Sequence, residues 1–466
     1  WPALAKQAFA GSIEAALFSA GTAVLLNTGL RWAGVIRILR WLFCVAWVAN
    51  AMTAIYAVQG MSEAPFIFFF VASILVFLRW CESRRPVLLP LAGILVGADC
   101  LCRNEAFVVA LLMGIGVIAQ SVRDGGGWRK VEADALLFGL AAGFVILLWL
   151  GSAAVIFHDP LYVLRANGFI ASTASGGGSG ASSASSAARA NAYGLVAIPS
   201  LKDAANVVIS HSVALSPAVL AFLGMLGARL LVRRDRVAAI MLLLFGLAIP
   251  LLDVRLFQGG LALLYRYQIS VIPFTFLIAV YLLRSWRGKW AVSSLLALVM
   301  VGLLGVSDLL TAQNLMPPNV ARDEGPAMTA LFSGKPASHQ AVDSPLSFGP
   351  SVVSAVLALD KDHGLIQCDS ATCFALNMSA PDPTIFVVTS DENFEAAASQ
   401  PLVYGIEYFL VPDPLGAGAI DRLNNLYPTL WRNGGGFATL VGSGAGGGPM
   451  TNWRLYRIVG PTGRGG

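Results

Sequence analysis

Ionisable and tyrosine side chains interrupt long apolar runs at five separate places in the chain. These are Glu63 in GMSEAPF; Asp99, Arg103 and Glu105 in GADCLCRNEAF; His158 and Asp159 in FHDPLY; Asp253 and Arg255 in DVRLF; and Tyr265, Arg266 and Tyr267 in LYRYQ. A guanidinium group pairs bidentately with phosphate oxygens. Arg266, flanked by two tyrosines, is therefore the residue that we expect to contact a phosphate.

The apolar runs indicate the setting in which these side chains act. Of the 466 residues, 56% are hydrophobic and 12% are charged, and the mean hydropathy is +0.71. Soluble globular proteins carry about 25% charged residues. We therefore expect a polytopic α-helical membrane protein.

A spanning helix needs about 20 mostly apolar residues, and on this criterion we expect about nine or ten spans. The candidate stretches are 12–29, 41–58, 64–80, 87–101, 105–121, 135–157, 212–232, 237–254, 268–283 and 290–309. The fourth and fifth stretches are short and separated only by CRNE, so they form either two spans or a re-entrant pair.

Positive charge is distributed unevenly among the connections. One alternate set is rich in arginine and lysine: Arg31, Arg37, Arg40, Arg79, Arg84, Arg85, Arg123, Arg129, Lys130, Arg229, Arg233, Arg234, Arg236, Arg284, Arg287 and Lys289. The other set has few; QGMSEAP has none. Cytoplasmic loops carry the excess of Lys and Arg, so the first set of connections is expected on the cytoplasmic side. The membrane is expected to be the cytoplasmic (inner) membrane. QGMSE, CRNE, 158–211, 255–267 and everything after 310 are then outside.

This topology leaves two soluble pieces. The loop 158–211 contains a Gly/Ser/Ala tract, around 172–190, which is expected to be flexible. Residues 311–466, beyond the membrane domain 1–310, are long enough for one core. Their short runs TIFVVTS, EYFLVP, FATLV and WRLYRIV predict strands of an extracytoplasmic α/β domain.

The six cysteines are too few for a disulfide scaffold. Cys368 and Cys373 lie in a polar region and form one bridge if that region is extracytoplasmic. The chain has no CxxC pair and its four histidines are scattered, so no zinc site is expected.

On this topology the ionisable residues share the outer face of the membrane. Such groups are costly in or beside a span and usually mark a functional path. Positively and negatively charged side chains on one face predict a cavity that opens outward and holds an anionic group against arginine. The structural alternative is that Ser62 caps a helix and Glu63 suits its dipole, while arginines and tyrosines anchor helices at the interface.

Several segments resemble bacterial, particularly actinobacterial, glycosyltransferases of the GT-C class. ANAMTAIYAVQGMSEAPFIFF resembles the segment that ends in their GMSE-type motif. LAGILVGADCLCRNEAFVVAL resembles their paired short helices, HDPLYV the opening of their long outer loop, and LYRYQISVIPF their RY-x-x-x-x-x-P span. The run from TIFVVTSDENF to WRLYRI is similar to the outer domain of some members.

The resemblance implies a cell-envelope transferase that takes a sugar from a polyprenyl-phosphate donor and passes it to an acceptor outside the cytoplasmic membrane. It implies that the lipid phosphate lies near Arg266 and its neighbours Tyr265 and Tyr267, with Arg103 as a second contact. Glu63, Asp99 and Glu105 would line the pocket, and His158 and Asp159 its rim. The tract 172–190 would order over substrate. A carboxylate would act as general base, with a divalent metal left as an option.

The chain departs from the family at its start. The catalytic acid of the family lies on the first outer loop, whereas WPALAKQAFAGSIEAALFSAG resembles the segment after that loop. The resemblance therefore implies that the catalytic acid belongs upstream of Trp1. Three explanations stay open. The chain is a fragment, or it uses another carboxylate such as Glu63 or Asp99, or it is a non-catalytic relative.

The main alternative function is a non-enzymatic membrane subunit whose outer domain contacts other proteins. Gly and Ala in spans such as LFGLAAGFV permit close helix packing. A transporter ranks lower, because it would show internal repeats and charges near the midplane. Nucleic-acid binding is not expected, since membrane orientation accounts for the arginines.

Overall fold

The computed structural model describes residues 9–58, 60–103, 105–125, 127–158, 160, 198, 200–243, 249–258, 265–286, 288–316, 345–360, 364–389, 391, 393–414, 418, 421–444 and 450–462. Within them, helices occupy the first two thirds of the chain and a small sheet domain follows. Trp1, Asp159 and the predicted tract 172–190 lie outside the described residues.

The described helices of the first part form one bundle around a continuous apolar core. They are α1 (Phe9–Trp32), α2 (Arg37–Ala49), α3 (Ala51–Tyr56), α4 (Glu63–Ser83), α5 (Leu88–Cys102), α6 (Glu105–Arg123), α7 (Gly127–Phe157), α8 (Leu201–Leu215), α9 (Ala218–Arg233), α10 (Arg236–Met241), α11 (Ile249–Gln258), α12 (Val271–Arg284) and α13 (Trp290–Leu315). A 3₁₀ turn at Tyr265–Gln268 precedes α12.

The helices confirm a polytopic membrane protein, but with fewer full spans than predicted. Among the described residues, six helices are long and apolar enough to cross a membrane, or seven if the bent pair α8 and α9 is one span. Each predicted stretch overlaps a helix. Several are short or broken, so the expected nine or ten spans are not reached on this criterion.

Two helix breaks explain part of this difference. Asn50 ends α2, and its side chain accepts a hydrogen bond from the Thr53 amide to cap α3. Between α8 and α9, Ser216 precedes Pro217, and the axis turns by 102°. A proline disfavours helical geometry in the preceding residue, and Ser216 has φ −153° and ψ 80°.

Since α8 begins at Leu201, the predicted outer loop to residue 211 was too long.

Side chains of α13 satisfy the backbone groups that the second break frees. Ser307 Oγ accepts from the Ala218 amide at 3.2 Å, and Thr311 Oγ1 donates to the Leu215 carbonyl at 3.0 Å. Unpaired backbone groups cost several kcal/mol in a membrane interior. The break is therefore stabilised by polar residues of a helix that hydropathy alone does not distinguish from an ordinary apolar span.

The loop before α4 depends on a close contact between two glycines. Gly60 has φ +64°, and a Cβ added there would lie 2.8 Å from the carbonyl carbon of Gly11. Ser12 Oγ also donates to the Val58 carbonyl at 2.6 Å. The N-terminal end of α1 thus packs directly on the loop that leads to Glu63.

Replacing Gly60 with alanine is expected to lower the thermal stability of the detergent-solubilised protein by more than backbone strain alone. Left-handed geometry costs about 1–2 kcal/mol for a non-glycine residue, and the contact with Gly11 adds to it. Gly125→Ala is the matched control, since Gly125 has φ +69° and nothing lies within 4 Å of its added Cβ. Equal losses of stability in both variants would show that the contact contributes nothing.

The C-terminal part is an α/β domain with one five-stranded sheet. Its strands are β1 (Leu365–Cys368), β2 (Phe386–Val388), β3 (Ile406–Pro412), β4 (Ala438–Ser443) and β5 (Trp453–Ile458), in the order β2-β1-β3-β5-β4. Its helices are α14 (Pro345–Leu359), α15 (Ser370–Ser379), α16 (Phe394–Ser399), α17 (Arg422–Leu426) and α18 (Leu430–Asn433). β1 is parallel to β2 and β3, whereas β5 is antiparallel to β3 and β4.

The central strand β3 is apolar on both faces. Tyr408 and Leu410 pack into one cluster with α14 and α15, while Phe409 and Val411 pack into another with α16 and α17. Burial on both sides explains why EYFLVP is a near-continuous apolar run. The four predicted strands are present, and β1 is an additional one that the sequence pattern did not predict. A disulfide joins Cys368, at the end of β1, to Cys373 in α15.

Two buried carboxylates tie the loops at the carboxyl ends of β1 and β3. Asp369 accepts from Thr389 Oγ1 at 3.1 Å and from the Arg422 amide at 2.7 Å. Asp421 accepts from Thr372 Oγ1 at 2.8 Å and from the Asn424 amide. Burial, and then the charge of Asp369, raise the pKa of Asp421 above its usual value.

This raised pKa predicts that the C-terminal domain loses stability as the pH rises. The folded state holds a proton that the unfolded chain releases near pH ~4, so the free energy of unfolding falls from there through the raised pKa, by at most about 1.4 kcal/mol per pH unit. Asp421→Asn should flatten this slope and stabilise the domain at neutral pH. Pulse proteolysis of the full chain in urea at several pH values measures the free energy of unfolding of this domain. A slope that is unchanged in Asp421→Asn would contradict the assignment of the pH dependence to Asp421.

Candidate functional site

The antiparallel α5–α6 hairpin places its connection beside the first turn of α4. Arg103 follows α5 in extended geometry, with φ −154° and ψ 148°, and Glu105 is the first residue of α6. Glu63 is the first residue of α4. The three residues therefore meet at one end of the bundle, which we call the Glu63 end; the other is the Arg284 end.

Arg103 joins both glutamates in a buried ion triad. Its Nη1 lies 3.2 Å from Glu63 Oε1, and its Nη2 lies 2.8 Å from Glu105 Oε1. The three side chains are each no more than 8% exposed. A buried charge needs this pairing to offset its loss of hydration. The triad carries one net negative charge if both carboxylates are ionised.

The ring of Tyr267 connects the triad to Arg266. The guanidinium carbons of Arg103 and Arg266 both lie 5.6 Å from the centroid of this ring. Arg266 Nη1 also contacts Met61 Sδ at 3.7 Å. Arg266 is only partly buried, and no carboxylate among the described residues forms an ion pair with it.

Two further carboxylates lie near the triad. Asp99 is fully buried in α5, and Asp253 in α11 is 1% exposed. Both interact electrostatically with Arg103 and Glu105. Within the described part of the chain, neither oxygen of Asp99 has a hydrogen-bond partner, and Asp253 Oδ1 has none. Both carboxyl groups are therefore buried beside the charged triad, with oxygens that have no hydrogen-bond partner among the described residues.

His211 and Gln268 belong to the same end and were not predicted. The His211 ring stacks on Tyr265 with centroids 4.1 Å apart, and its Nδ1 lies 3.1 Å from Gln268 Oε1. The sequence offered little sign of this, because His211 was placed at the end of a predicted outer loop. It lies instead in α8, which brings it to the turn that carries Arg266.

The other predicted residues are not part of the triad. His158 follows α7, is exposed and has φ 54°; no hydrogen bond or ion pair links it to the described residues of the triad. The side chain of Arg255 and all of Asp159 lie outside the described residues. The predicted Ser62 cap is wrong, because Ser62 has φ −66° and ψ −10°, and its side chain makes no capping hydrogen bond to α4.

The catalytic acid that the family resemblance implies has no residue assigned to it in the described part of the chain. It was expected upstream of Trp1, and the described part of the chain begins at Phe9. That expectation stays a prediction. Glu63, Glu105, Asp99 and Asp253 are described carboxylates at this end that interact with Arg103 or pair with it.

The geometry gives the two arginines different capacities. Arg103 already directs its guanidinium at two carboxylates, whereas Arg266 has no carboxylate partner among the described residues and can donate to a further acceptor. Among the described residues, no group of three or more His, Cys, Asp or Glu side chains has an arrangement that could hold a metal ion. The arrangement can bind an anion at Arg266 with carboxylates and a histidine nearby.

Comparison with known proteins does not identify the chain. No protein-family model matches it, and neither a curated protein nor a solved structure shows significant similarity to it.

Proposed function

We propose that the protein is a membrane glycosyltransferase of the GT-C type, which moves a sugar from a polyprenyl-phosphate donor to an acceptor outside the cytoplasmic membrane. The observation that carries this proposal is Arg266, which stands beside the buried triad without an ion-pair partner among the described residues. A lipid phosphate supplies the anion that such an arginine would hold.

The buried triad supports phosphate binding by fixing the position of Arg266. Tyr267 contacts both guanidinium groups, so the position of Arg103 influences that of Arg266. Arg103 then acts as a positioning residue, and the direct phosphate contact is made by Arg266. This assignment narrows the sequence-based expectation that both arginines bind phosphate.

The acceptor hydroxyl must lose a proton during transfer, and a carboxylate within hydrogen-bond reach would take it. Glu63 and Glu105 form ion pairs with Arg103, although Glu63 Oε2 has no hydrogen-bond partner among the described residues. Asp99 and Asp253 retain unpartnered oxygens among the described residues and interact with Arg103. We therefore assign the base to one of these aspartates.

The test is transfer by the full-length protein in proteoliposomes supplied with polyprenyl phosphates that carry radiolabelled sugars. Transfer to an acceptor extract, lost on Asp99→Asn or on Asp253→Asn, is the expected result. Retained lipid binding in the same variants would separate chemistry from donor recognition. Absence of transfer from every donor would contradict the proposal.

A non-catalytic membrane subunit is the second candidate. This function is favoured because Arg103 is paired with Glu63 and Glu105, and such a triad can serve to hold the helices together without binding a ligand. On this view the protein would neither bind polyprenyl phosphate through Arg266 nor transfer sugar.

A further inference from the structure

A second polar site lies at the Arg284 end of the bundle, away from the triad. A cavity of about 310 Å³ opens there between the ends of α4, α9 and α12. Its lining includes Glu82, Arg229, Asp235, Tyr281, Arg284 and Ser285. Ligand pockets span about 300–1,000 Å³, so this cavity suits a small polar group.

Arg229 is held on one wall by its own carboxylate partner. Its Nε and Nη2 lie 2.9 and 2.8 Å from Asp235 Oδ2, and its guanidinium carbon lies 5.2 Å from the Tyr281 ring centroid. The Tyr281 hydroxyl also bonds to Asp235. A guanidinium has five donors, so this pairing leaves further ones for a ligand.

Arg284 is held on the opposing element by a similar pairing. Its Nε lies 3.3 Å from Glu82 Oε1, and its guanidinium carbon is 4.5 Å from the Trp32 ring centroid. Glu82 also accepts from Arg79 at 2.9 Å and from Trp32 Nε1 at 2.6 Å. The carboxylate is thus neutralised by two arginines, while the terminal nitrogens of Arg284 form no ion pair with the described residues.

We propose that Arg229 and Arg284 together bind a phosphate-bearing group in this cavity. Both guanidinium groups are already ordered by carboxylates, which reduces the entropy lost on binding. The two lining acids are both paired, Asp235 with Arg229 and Glu82 with Arg284, so neither opposes an incoming phosphate as an unpaired negative charge. This site is separate from Arg266 and does not depend on sugar transfer.

The surroundings favour the headgroup of an anionic phospholipid as the source of the phosphate. On α9, Leu231 and Val232 are 82% and 81% exposed within one turn of Arg229, as suits contact with lipid tails. The arginine-rich connections at this end are predicted to be cytoplasmic, and anionic lipids of that leaflet attract basic groups. A soluble phosphate ester offers the same chemistry.

The experiment is a native mass-spectrometric titration of the full chain in detergent with phosphatidylglycerol, diacylglycerol or inorganic phosphate. The double variant Arg229→Gln and Arg284→Gln should bind phosphatidylglycerol at least about tenfold more weakly, because charged hydrogen bonds are lost. Arg79→Gln is the matched control: Arg79 pairs with the same Glu82 but is outside the cavity lining.

The three probes distinguish the source. If inorganic phosphate competes with phosphatidylglycerol, the ligand is a soluble phosphate. If it does not compete, the ligand is a lipid. The proposal would be overturned if diacylglycerol bound as tightly as phosphatidylglycerol, or if the double variant bound phosphatidylglycerol as tightly as the native protein. If the double variant does not fold, Ser285→Leu decides, since it fills the cavity without altering charge; unchanged binding there would also overturn it.

Discussion

Replacing Arg103 with leucine is expected to destabilise the protein by about 3–5 kcal/mol, because Glu63 and Glu105 would remain buried without their counter-charge. All three side chains are at most 8% exposed, so solvent screens the triad little. The measurement is thermal or denaturant unfolding of the purified chain in detergent.

Two variants separate the triad from general damage. The triple variant Glu63→Gln, Arg103→Met and Glu105→Gln should recover part of the loss, because no charge is left buried alone. Arg79→Gln removes an exposed pair with Glu82 and should change stability by less than about 1 kcal/mol. A single Arg103→Leu variant as stable as the native protein would contradict the buried pairing.

Replacing Arg266 with alanine is expected to weaken binding of polyprenyl phosphate by roughly tenfold to a hundredfold. Hydrogen bonds to charged groups contribute about 1.5–3 kcal/mol, and each 1.4 kcal/mol is a factor of ten. Stability should change little, since Arg266 has no ion-pair partner among the described residues. Binding of a labelled polyprenyl phosphate to the full-length protein in nanodiscs provides the measurement.

Matched variants sharpen this prediction. Arg266→Lys keeps the charge but loses the bidentate geometry, so we expect an intermediate affinity. Arg233→Ala removes an exposed arginine from the other end of the bundle and should leave affinity unchanged. Equal affinity in native protein and Arg266→Ala would remove Arg266 from donor recognition, while the Arg103 prediction would be unaffected.

Hydropathy by itself determined the class of protein and the location of most helices. The cost of unpaired backbone groups in lipid makes long apolar runs helical wherever they occur. The strands β2, β3, β4 and β5 were also predictable, since short apolar runs between turns depend on local patterning. β1 was missed because the polar Gln367 interrupts its short apolar run LIQC.

Only the tertiary structure decided how the charged residues pair. Sequence order indicated that Glu63, Arg103 and Arg266 belong to the same end. It did not indicate that Arg103 pairs with two glutamates while Arg266 has no ion-pair partner among the described residues. His211 lies beside Tyr265 and Gln268 because of the direction of α8. The cavity at Arg229 and Arg284 is formed by α4, the consecutive helices α9 and α10, and α12. Periodicity reports which face of one helix is apolar, whereas a site depends on contacts between helices that no local pattern encodes.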